Sequence, residues 1–170
     1  MQDRGEFRVS VEKDYLVFAS AHFITFAGHR CEGLHGHNYR ARVTIWGALN
    51  QESWFVFDFV ELKKIMRRLC DEIDHLVLLP TESPRIQVVE EGERVTVAVD
   101  GKPRYVFPRK DCALLPIPNT TVEMLAQLLA TRLRKELDAA GARGLTAIEM
   151  EVEENFGQSA VYREALNAPS

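Results

Sequence analysis

The sequence predicts an α+β fold in which pairs of strands alternate with single helices. Long segments near both ends of the chain alternate apolar and polar residues with the two-residue period of a strand. Two other segments repeat apolar residues every three or four positions, as an amphipathic helix does. The resulting order is strand, strand, helix, strand-containing insert, helix, strand, strand. At 170 residues, the chain is expected to form one domain that buries a sizeable core.

The first two predicted strands, residues 7–23 and 35–49, carry three histidines on apolar faces. Side chains two apart on a strand point the same way. His22 therefore ends an apolar row of the first strand, whereas His35 and His37 begin one in the second. A lone histidine on such a face is usually a core residue with a satisfied hydrogen bond. Because one loop separates these three, we expect them to lie together.

The three histidines have the composition of a metal site. Three neutral imidazoles are a known ligand set for catalytic zinc, which leaves a fourth position for water or substrate. The candidate Zn2+ ligands are therefore His22, His35 and His37, and the alternative is a chance cluster of histidines without a metal. Cys31, in the loop between the strands, is open to several interpretations. It is a nucleophile or base if it is partly thiolate, a fourth ligand that would close the site, or a loop thiol without a role.

A helix is predicted directly after Asp58, whose carboxylate can accept from the free amides of the first turn. Its apolar face comprises Leu62, Ile65, Met66, Leu69 and Ile73. Cys70 is interpreted as a packing residue beside that face. Asp74 and His75 follow the helix. They are a candidate general base with a neighbouring carboxylate, although such a pair at a helix end is more often structural.

Residues 80–116 are predicted to be an insertion on this scaffold rather than a second domain. Prolines punctuate the segment, and Glu91-Gly92 and Asp100-Gly101 supply turn residues between three short apolar runs. We therefore expect strands joined by two hairpin turns in this insertion.

The second helix is predicted to begin at Thr120, which has capping-box spacing with the glutamate three residues later. Its apolar face comprises Val122, Leu125, Leu129, Leu133 and Leu137. Gly141 marks its end. The strand that follows, residues 146–154, alternates apolar residues with glutamates, and a short strand at 159–163 comes last. Glu154 falls on the apolar face, where a carboxylate needs a partner because unpaired burial is costly.

Composition narrows the classes of function. The net charge of −4 argues against a nucleic-acid-binding surface. No apolar run is long enough to span a bilayer, so no membrane partner is expected, and the first residues show no signal-peptide pattern. The cysteines, Cys31, Cys70 and Cys112, are odd in number and widely spaced. This is not a disulfide framework, and it favours a reducing, cytoplasmic location.

Several motifs follow one another in the order found in a known family. They are Phe18-Ala19-Ser20-Ala21-His22-Phe23, Cys31-Glu32-Gly33-Leu34-His35-Gly36-His37-Asn38-Tyr39, Asp58-Phe59, Asp74-His75 with Leu78, Thr121-Val122-Glu123-Met124-Leu125-Ala126, and Glu154 before Tyr162. The chain resembles the 6-pyruvoyltetrahydropterin synthase / 6-carboxytetrahydropterin synthase family. The resemblance covers most of residues 7–79 and 117–164, but not the insertion. Its specific part is Cys-x-x-x-His-Gly-His with an upstream histidine.

The resemblance implies a tunnelling fold (T-fold), which is an antiparallel four-stranded sheet with two helices on one face. Family members close three such sheets into a barrel and stack two trimers, so a homo-hexamer with active sites at subunit interfaces is implied. The implied substrate is 7,8-dihydroneopterin triphosphate, and Zn2+ would bind its side-chain hydroxyls. No redox cofactor is expected, since the pterin ring exchanges hydrogens with its own side chain.

The resemblance also assigns roles to residues of this chain. Cys31 would move protons on the side-chain carbons, with Asp74 and His75 as its relay. Glu154 would anchor the pterin ring, since a carboxylate can accept from paired N–H groups. The substrate-binding residues implied in this way are Glu154, Thr120 and Thr121, although capping is the safer role for the two threonines.

The product is left open by Glu32, which directly follows Cys31. This arrangement looks like the branch in which cysteine-type and glutamate-type bases coexist. The cysteine-type enzymes form 6-carboxy-5,6,7,8-tetrahydropterin with loss of acetaldehyde, toward deazapurine nucleosides such as queuosine, and this product is favoured. With Glu32 as the base, the product would be 6-hydroxymethyl-7,8-dihydropterin, a folate precursor, and dual activity is a rival. A pyruvoyl product is the third outcome. The alternative for Glu32 itself is that it has no catalytic role and is an exposed acidic residue of the loop.

Two features of the sequence depart from the family pattern. Leu79 stands where many members have asparagine, and the insertion is expected to alter the pocket mouth or the assembly. Two hypotheses from other functional classes stay open. One is a zinc-containing T-fold that binds a pterin or purine without turning it over. The other is a structural-zinc interaction module, in which Cys31 is a ligand and metal removal unfolds the chain.

Overall fold

The computed structural model describes residues 6–166. The main sheet contains β1 (Phe7–His22), β2 (His35–Gly47), β3 (Val77–Pro80), β7 (Cys112–Leu115), β8 (Leu145–Asn155) and β9 (Gln158–Ala165). A smaller sheet contains β4 (Ile86–Glu91), β5 (Arg94–Val99) and β6 (Lys102–Pro108). The α-helices are α1 (Phe59–Asp71) and α2 (Val122–Ala139), and a short 3-10 turn spans Arg109–Asp111.

The main sheet has the strand order β7-β3-β1-β2-β8-β9. Its four long strands, β1, β2, β8 and β9, pair antiparallel as predicted. The strands β3 and β7 were not predicted, and they extend the sheet on the β1 side in parallel register. Each is only four residues long, so it shows no reliable period in the sequence.

Both helices cover one face of this sheet, as the T-fold requires. The residues of β1, β2 and β8 that face them are almost completely buried: Leu16, Phe18, Tyr39, Val43, Ile45, Ile148, Met150 and Val152. The rings of Phe18 and Tyr39 stack with centroids 4.8 Å apart. A fully buried side chain of this size stabilises the fold by about 1.5–3 kcal/mol. The helices therefore fix β1, β2 and β8 relative to one another, and these strands carry the candidate site.

The starts of the two helices show one correct and one wrong prediction. The Asp58 carboxylate accepts from the Val60 N–H at 2.6 Å, which confirms the predicted cap of α1. The predicted capping box of α2 is wrong, because the N-cap is Thr121 and its side chain makes no capping hydrogen bond. Thr120 is completely buried, and its hydroxyl donates to the Phe23 carbonyl at 3.0 Å. The hydroxyl is thus engaged with β1 rather than with the helix.

The insertion forms the predicted strands and two hairpin turns. Strand β5 pairs antiparallel with β4 on one side and β6 on the other. A second apolar cluster lies beneath this sheet: Phe23, Leu79, Ile86, Val95, Val97, Val99 and Cys112. Phe23 directly follows β1, so the insertion packs against the end of the strand that carries His22.

The expectation of one domain over residues 1–170 includes positions 1–5 and 167–170, which lie outside the described residues. Across residues 6–166, neither helix combines the length and apolar character needed to cross a membrane.

Candidate active site

Three histidines meet where β1 ends and β2 begins. His22 and His35 are directly opposite in the antiparallel register, and His37 is opposite Ser20. The centroids of the imidazole rings are 4.7–5.2 Å apart. One ligand atom from each ring lies within 4.8 Å of the others. The structure therefore brings together the three predicted metal ligands.

Hydrogen bonds fix the tautomers of two of these rings. His22 Nδ1 lies 2.8 Å from the Thr120 carbonyl oxygen, and His35 Nδ1 lies 2.9 Å from that of Gly33. A carbonyl only accepts, so each Nδ1 carries the proton and each Nε2 keeps its lone pair. The two Nε2 atoms are 3.2 Å apart, where their lone pairs repel without a cation. His37 Nε2 is buried, and no residue in the described part of the chain makes a hydrogen bond with it. This donor set fits a divalent metal ion such as Zn2+.

Burial keeps the central imidazole neutral. His22 is only 1% exposed, and burial lowers its pKa. The hydrogen bond to the Thr120 carbonyl and the charge of Glu154 act in the opposite direction, and both are smaller effects. A neutral imidazole is the form that binds a metal.

Glu154, at the end of β8, directs its carboxylate to the histidines. Its Oε1 lies 3.2 Å from His22 Nε2 and 3.3 Å from His37 Nε2. The side chain is 24% exposed. Because His22 Nε2 carries no proton, this nitrogen and the carboxylate are both acceptors, so His22 does not supply the donor that an inward carboxylate needs.

Sequence reasoning missed Tyr39, which contributes to the same site. Its ring centroid lies 5.9 Å from that of His22 and 5.6 Å from that of His37. Its hydroxyl is buried and has no hydrogen-bond partner among the described residues. Burial raises the pKa of Tyr39 above its ordinary value, and the charges of Glu154 and Glu32 add to this, so the phenol stays protonated. Its shared parity with His37 was the available signal.

Glu32 and Cys31 are differently placed, although they are adjacent in sequence. Glu32 Oε2 lies 3.8 Å from His35 Nε2. The half-buried Cys31 packs against the apolar cluster of the insertion, and its Sγ lies 3.6 Å from the Glu32 carbonyl oxygen. Cys31 is not in the metal-binding group formed within residues 6–166. Among the contacts made within residues 6–166, Glu32 rather than Cys31 is the candidate base that lies beside a histidine.

Asp74 and His75 form a pair on the other side of β1. His75 Nδ1 lies 2.9 Å from Asp74 Oδ2, and Asp74 Oδ1 accepts from the Ala19 N–H at 2.7 Å. Burial opposes ionisation of Asp74, but the hydrogen bonds from Ala19 and His75 outweigh it and lower the pKa of the carboxyl. The His75 side chain is 81% exposed. Within residues 6–166, no hydrogen bond or ion pair joins this pair to Cys31.

Comparison with known families assigns the chain to a class. Residues 10–165 match the family model described as 6-pyruvoyl tetrahydropterin synthase. The chain belongs to this family, whose members are lyases that act on pterins.

Two relatives in this family carry the same enzyme name. A protein of Methanocaldococcus jannaschii, provisionally named 6-carboxy-5,6,7,8-tetrahydropterin synthase, is 36% identical over 151 residues, which cover 89% of this chain and 91% of that protein. The 6-carboxy-5,6,7,8-tetrahydropterin synthase of Aquifex aeolicus is 28% identical over 137 residues, covering 80% of this chain and 77% of its own.

Solved structures confirm the fold. The 6-pyruvoyl tetrahydropterin synthase of Plasmodium falciparum superimposes with a TM-score of 0.88 at 30% identity, covering 96% of this chain and 100% of its own. The Plasmodium vivax enzyme gives a TM-score of 0.87 at 29% identity, with the same coverage. The T-fold expected from the sequence is thereby confirmed. Because each match covers 96% of this chain, it extends over most of the insertion as well.

Proposed function

We propose that this protein is a zinc-dependent synthase that converts 7,8-dihydroneopterin triphosphate to 6-carboxy-5,6,7,8-tetrahydropterin. The observation that carries the proposal is the convergence of three imidazole nitrogens, two with fixed lone pairs, beside the Glu154 carboxylate. The names of the archaeal and Aquifex relatives support the carboxy product. This product would feed the synthesis of deazapurine nucleosides such as queuosine, in the cytoplasm.

A bound Zn2+ would polarise the hydroxyls of the substrate side chain. His22, His35 and His37 would hold the ion. Glu154 would orient the pterin ring by accepting from its paired N–H groups. Tyr39 would keep a neutral phenol beside these imidazoles.

The two threonines differ in what they offer the substrate. The Thr120 hydroxyl donates to Phe23, and its carbonyl accepts from His22. Thr120 would therefore act by orienting His22. Thr121 has no side-chain capping bond, so its hydroxyl is the one proposed for a pterin contact.

Proton transfer on the side-chain carbons would use Cys31, with Asp74 and His75 as the relay. The Asp74 carboxylate holds His75 Nδ1 at 2.9 Å and leaves an exposed imidazole for proton exchange. The proposed assembly is a homo-hexamer, a dimer of trimers with sites between subunits. In that assembly, a neighbouring copy of the chain would bring an Asp74–His75 pair to Cys31. The single domain would comprise residues 1–170.

A second candidate product is favoured by the position of Glu32. Its carboxylate is 3.8 Å from His35 Nε2, so Glu32 could act as the base that cleaves the side chain to 6-hydroxymethyl-7,8-dihydropterin. Two structures of the Plasmodium vivax synthase carry alanine or cysteine in place of a glutamate described as its catalytic residue. With Cys31 also present, one chain could form both products, and the pyruvoyl product remains the third alternative.

The test is a product assay with zinc-loaded protein and 7,8-dihydroneopterin triphosphate, analysed by mass spectrometry. Loss of a carboxy product in Cys31→Ala would support the main proposal. Loss of a hydroxymethyl product in Glu32→Ala would support the second, and two products divided between the variants would indicate dual activity. Substrate binding without turnover would leave a non-catalytic pterin- or purine-binding module instead.

Metal content is measured on the same preparations. We expect His37→Ala to lose bound zinc, whereas the matched control His29→Ala, an exposed histidine of the connecting loop, keeps it. Loss of zinc from Cys31→Ser would instead indicate that Cys31 is a ligand, as in the structural-zinc module.

A further inference from the structure

One arginine of the insertion contacts the peptide group beside both candidate bases. Arg104, on β6, donates from Nη2 to the Glu32 carbonyl oxygen at 2.5 Å. The same oxygen lies 3.6 Å from the Cys31 Sγ. A hydrogen bond from a charged donor is stronger than one between neutral groups. Arg104 therefore restrains the backbone at the position from which the Cys31 and Glu32 side chains leave it.

Tyr105 holds the same loop one step farther along. Its hydroxyl accepts from the Leu34 N–H at 3.2 Å. Its ring centroid lies 5.3 Å from that of Phe23, and the Arg104 guanidinium carbon is 5.9 Å from the Phe23 centroid. The two residues thus bridge the loop and the end of β1, where His22 lies.

Arg85 holds the first half of the loop. It donates to both carboxylate oxygens of Asp100, at 2.9 and 2.7 Å, which fixes its guanidinium plane. From that position it donates to the carbonyls of Phe26 at 2.8 Å and Arg30 at 3.3 Å. The Arg85 side chain is only 18% exposed.

Backbone hydrogen bonds within the loop of residues 24–34 also hold it together. The Phe26 N–H donates to the Arg30 carbonyl at 2.9 Å, and the Glu32 N–H donates to the Ile24 carbonyl at 3.0 Å. His29 lies at a φ of 59°, which is strained for a residue with a side chain. The carbonyls of Phe26, Arg30 and Glu32 thus accept from the insertion. The insertion and loop form one hydrogen-bonded unit.

We propose that Arg104 is a positioning residue for the reaction, and that Arg85 and Tyr105 act with it to hold the loop of residues 24–34. The insertion would thereby fix the distance of Cys31 and Glu32 from the histidine site. The kinetic part of this inference rests on the proposed function, whereas the restraint of the loop does not.

The test combines amide hydrogen exchange with kinetics on the full-length, zinc-loaded protein. We expect Arg104→Gln to speed exchange of amides in residues 24–34 by about tenfold to a hundredfold, because a charged hydrogen bond is lost. Arg104→Lys retains the charge and should give an intermediate rate. The matched control is Arg94→Gln, an exposed arginine on β5 of the same sheet, which should exchange like the parent.

The kinetic measurement distinguishes positioning from simple stability. With 7,8-dihydroneopterin triphosphate, we expect Arg104→Gln to lower kcat by about tenfold or more while KM changes little, because a small misplacement of a base slows the chemical step. Arg104→Lys should recover part of the lost kcat. Unchanged exchange in the loop would overturn the proposed restraint. Faster exchange with an unchanged kcat would overturn the positioning role.

A failure of the proposed function can be distinguished from a failure of the proposed loop restraint. A parent protein that forms no pterin product, whichever metal is supplied, refutes the synthase proposal. The exchange rates of Arg104→Gln and Arg94→Gln would still decide whether the insertion holds the loop.

Discussion

The buried hydroxyl of Thr120 gives a sharp test of how the site is supported. Thr120→Val keeps the branched shape of the side chain but removes the bond to the Phe23 carbonyl, 3.0 Å away. Thr120 is 0% exposed, so that carbonyl would be left without its partner in the protein interior. An unsatisfied buried polar group costs about 1–3 kcal/mol. For a chain of this length, that cost lowers Tm by roughly 2–12 °C.

Thr121→Val is the matched control. Thr121 is the N-cap of α2, but its side chain makes no capping bond. We therefore expect its substitution to change the free energy of unfolding by less than about 0.5 kcal/mol. Thermal unfolding is followed by circular dichroism at fixed protein and zinc concentrations, since bound metal shifts Tm. A larger loss in Thr121→Val than in Thr120→Val would refute this reasoning and restore the capping role predicted from the sequence.

Three further predictions concern packing and thiol chemistry. Burial raises the pKa of Cys70 to about 12, so a thiol reagent at pH 8 should modify the half-buried Cys31 first, and equal rates by mass spectrometry would contradict this. Leu129→Ala removes a fully buried side chain and should cost about 2–5 kcal/mol in denaturant unfolding, whereas a cost below 1 kcal/mol would mean that α2 does not pack as described. Gly47→Ala would place its Cβ 2.6 Å from the Gly144 carbonyl oxygen, so a lower Tm is expected and an unchanged one would contradict that contact.

The central fold could be predicted because its signals are local. In β2, side chains that alternate between the faces keep Tyr39, Val43 and Ile45 buried on the side of the helices. In α1, the spacing of the apolar residues indicates the helix and Asp58 indicates its start, and both signals involve residues only a few positions apart. The same alternation places His35 and His37 on one side, which is why the residues of the histidine cluster could be named from the sequence.

Other features depend on contacts between distant residues. Thr120 has the sequence spacing of a cap, but its hydroxyl bonds to Phe23, 97 positions away. The residues next to Thr120 and next to Phe23 in the sequence give no indication of this hydrogen bond. The parallel strands β3 and β7 are similar, because residues 81–111 lie between them and the pairing is created only when that segment folds back. The restraint of the loop by Arg104 also depends on a partner 72 positions away.

These distant contacts explain how one site can be built from both halves of the chain. His22 and His35 come from the first two strands, but the Nδ1 proton of His22 is held by the Thr120 carbonyl just before α2. Glu154 reaches the same imidazole from β8. A misplaced α2 or β8 would therefore change the tautomer of His22 or remove its carboxylate neighbour, even with all three histidines present. The three histidines supply the candidate metal-binding nitrogens, and packing of the second half against β1 holds the Nδ1 proton of His22, which leaves its Nε2 free to bind a metal ion.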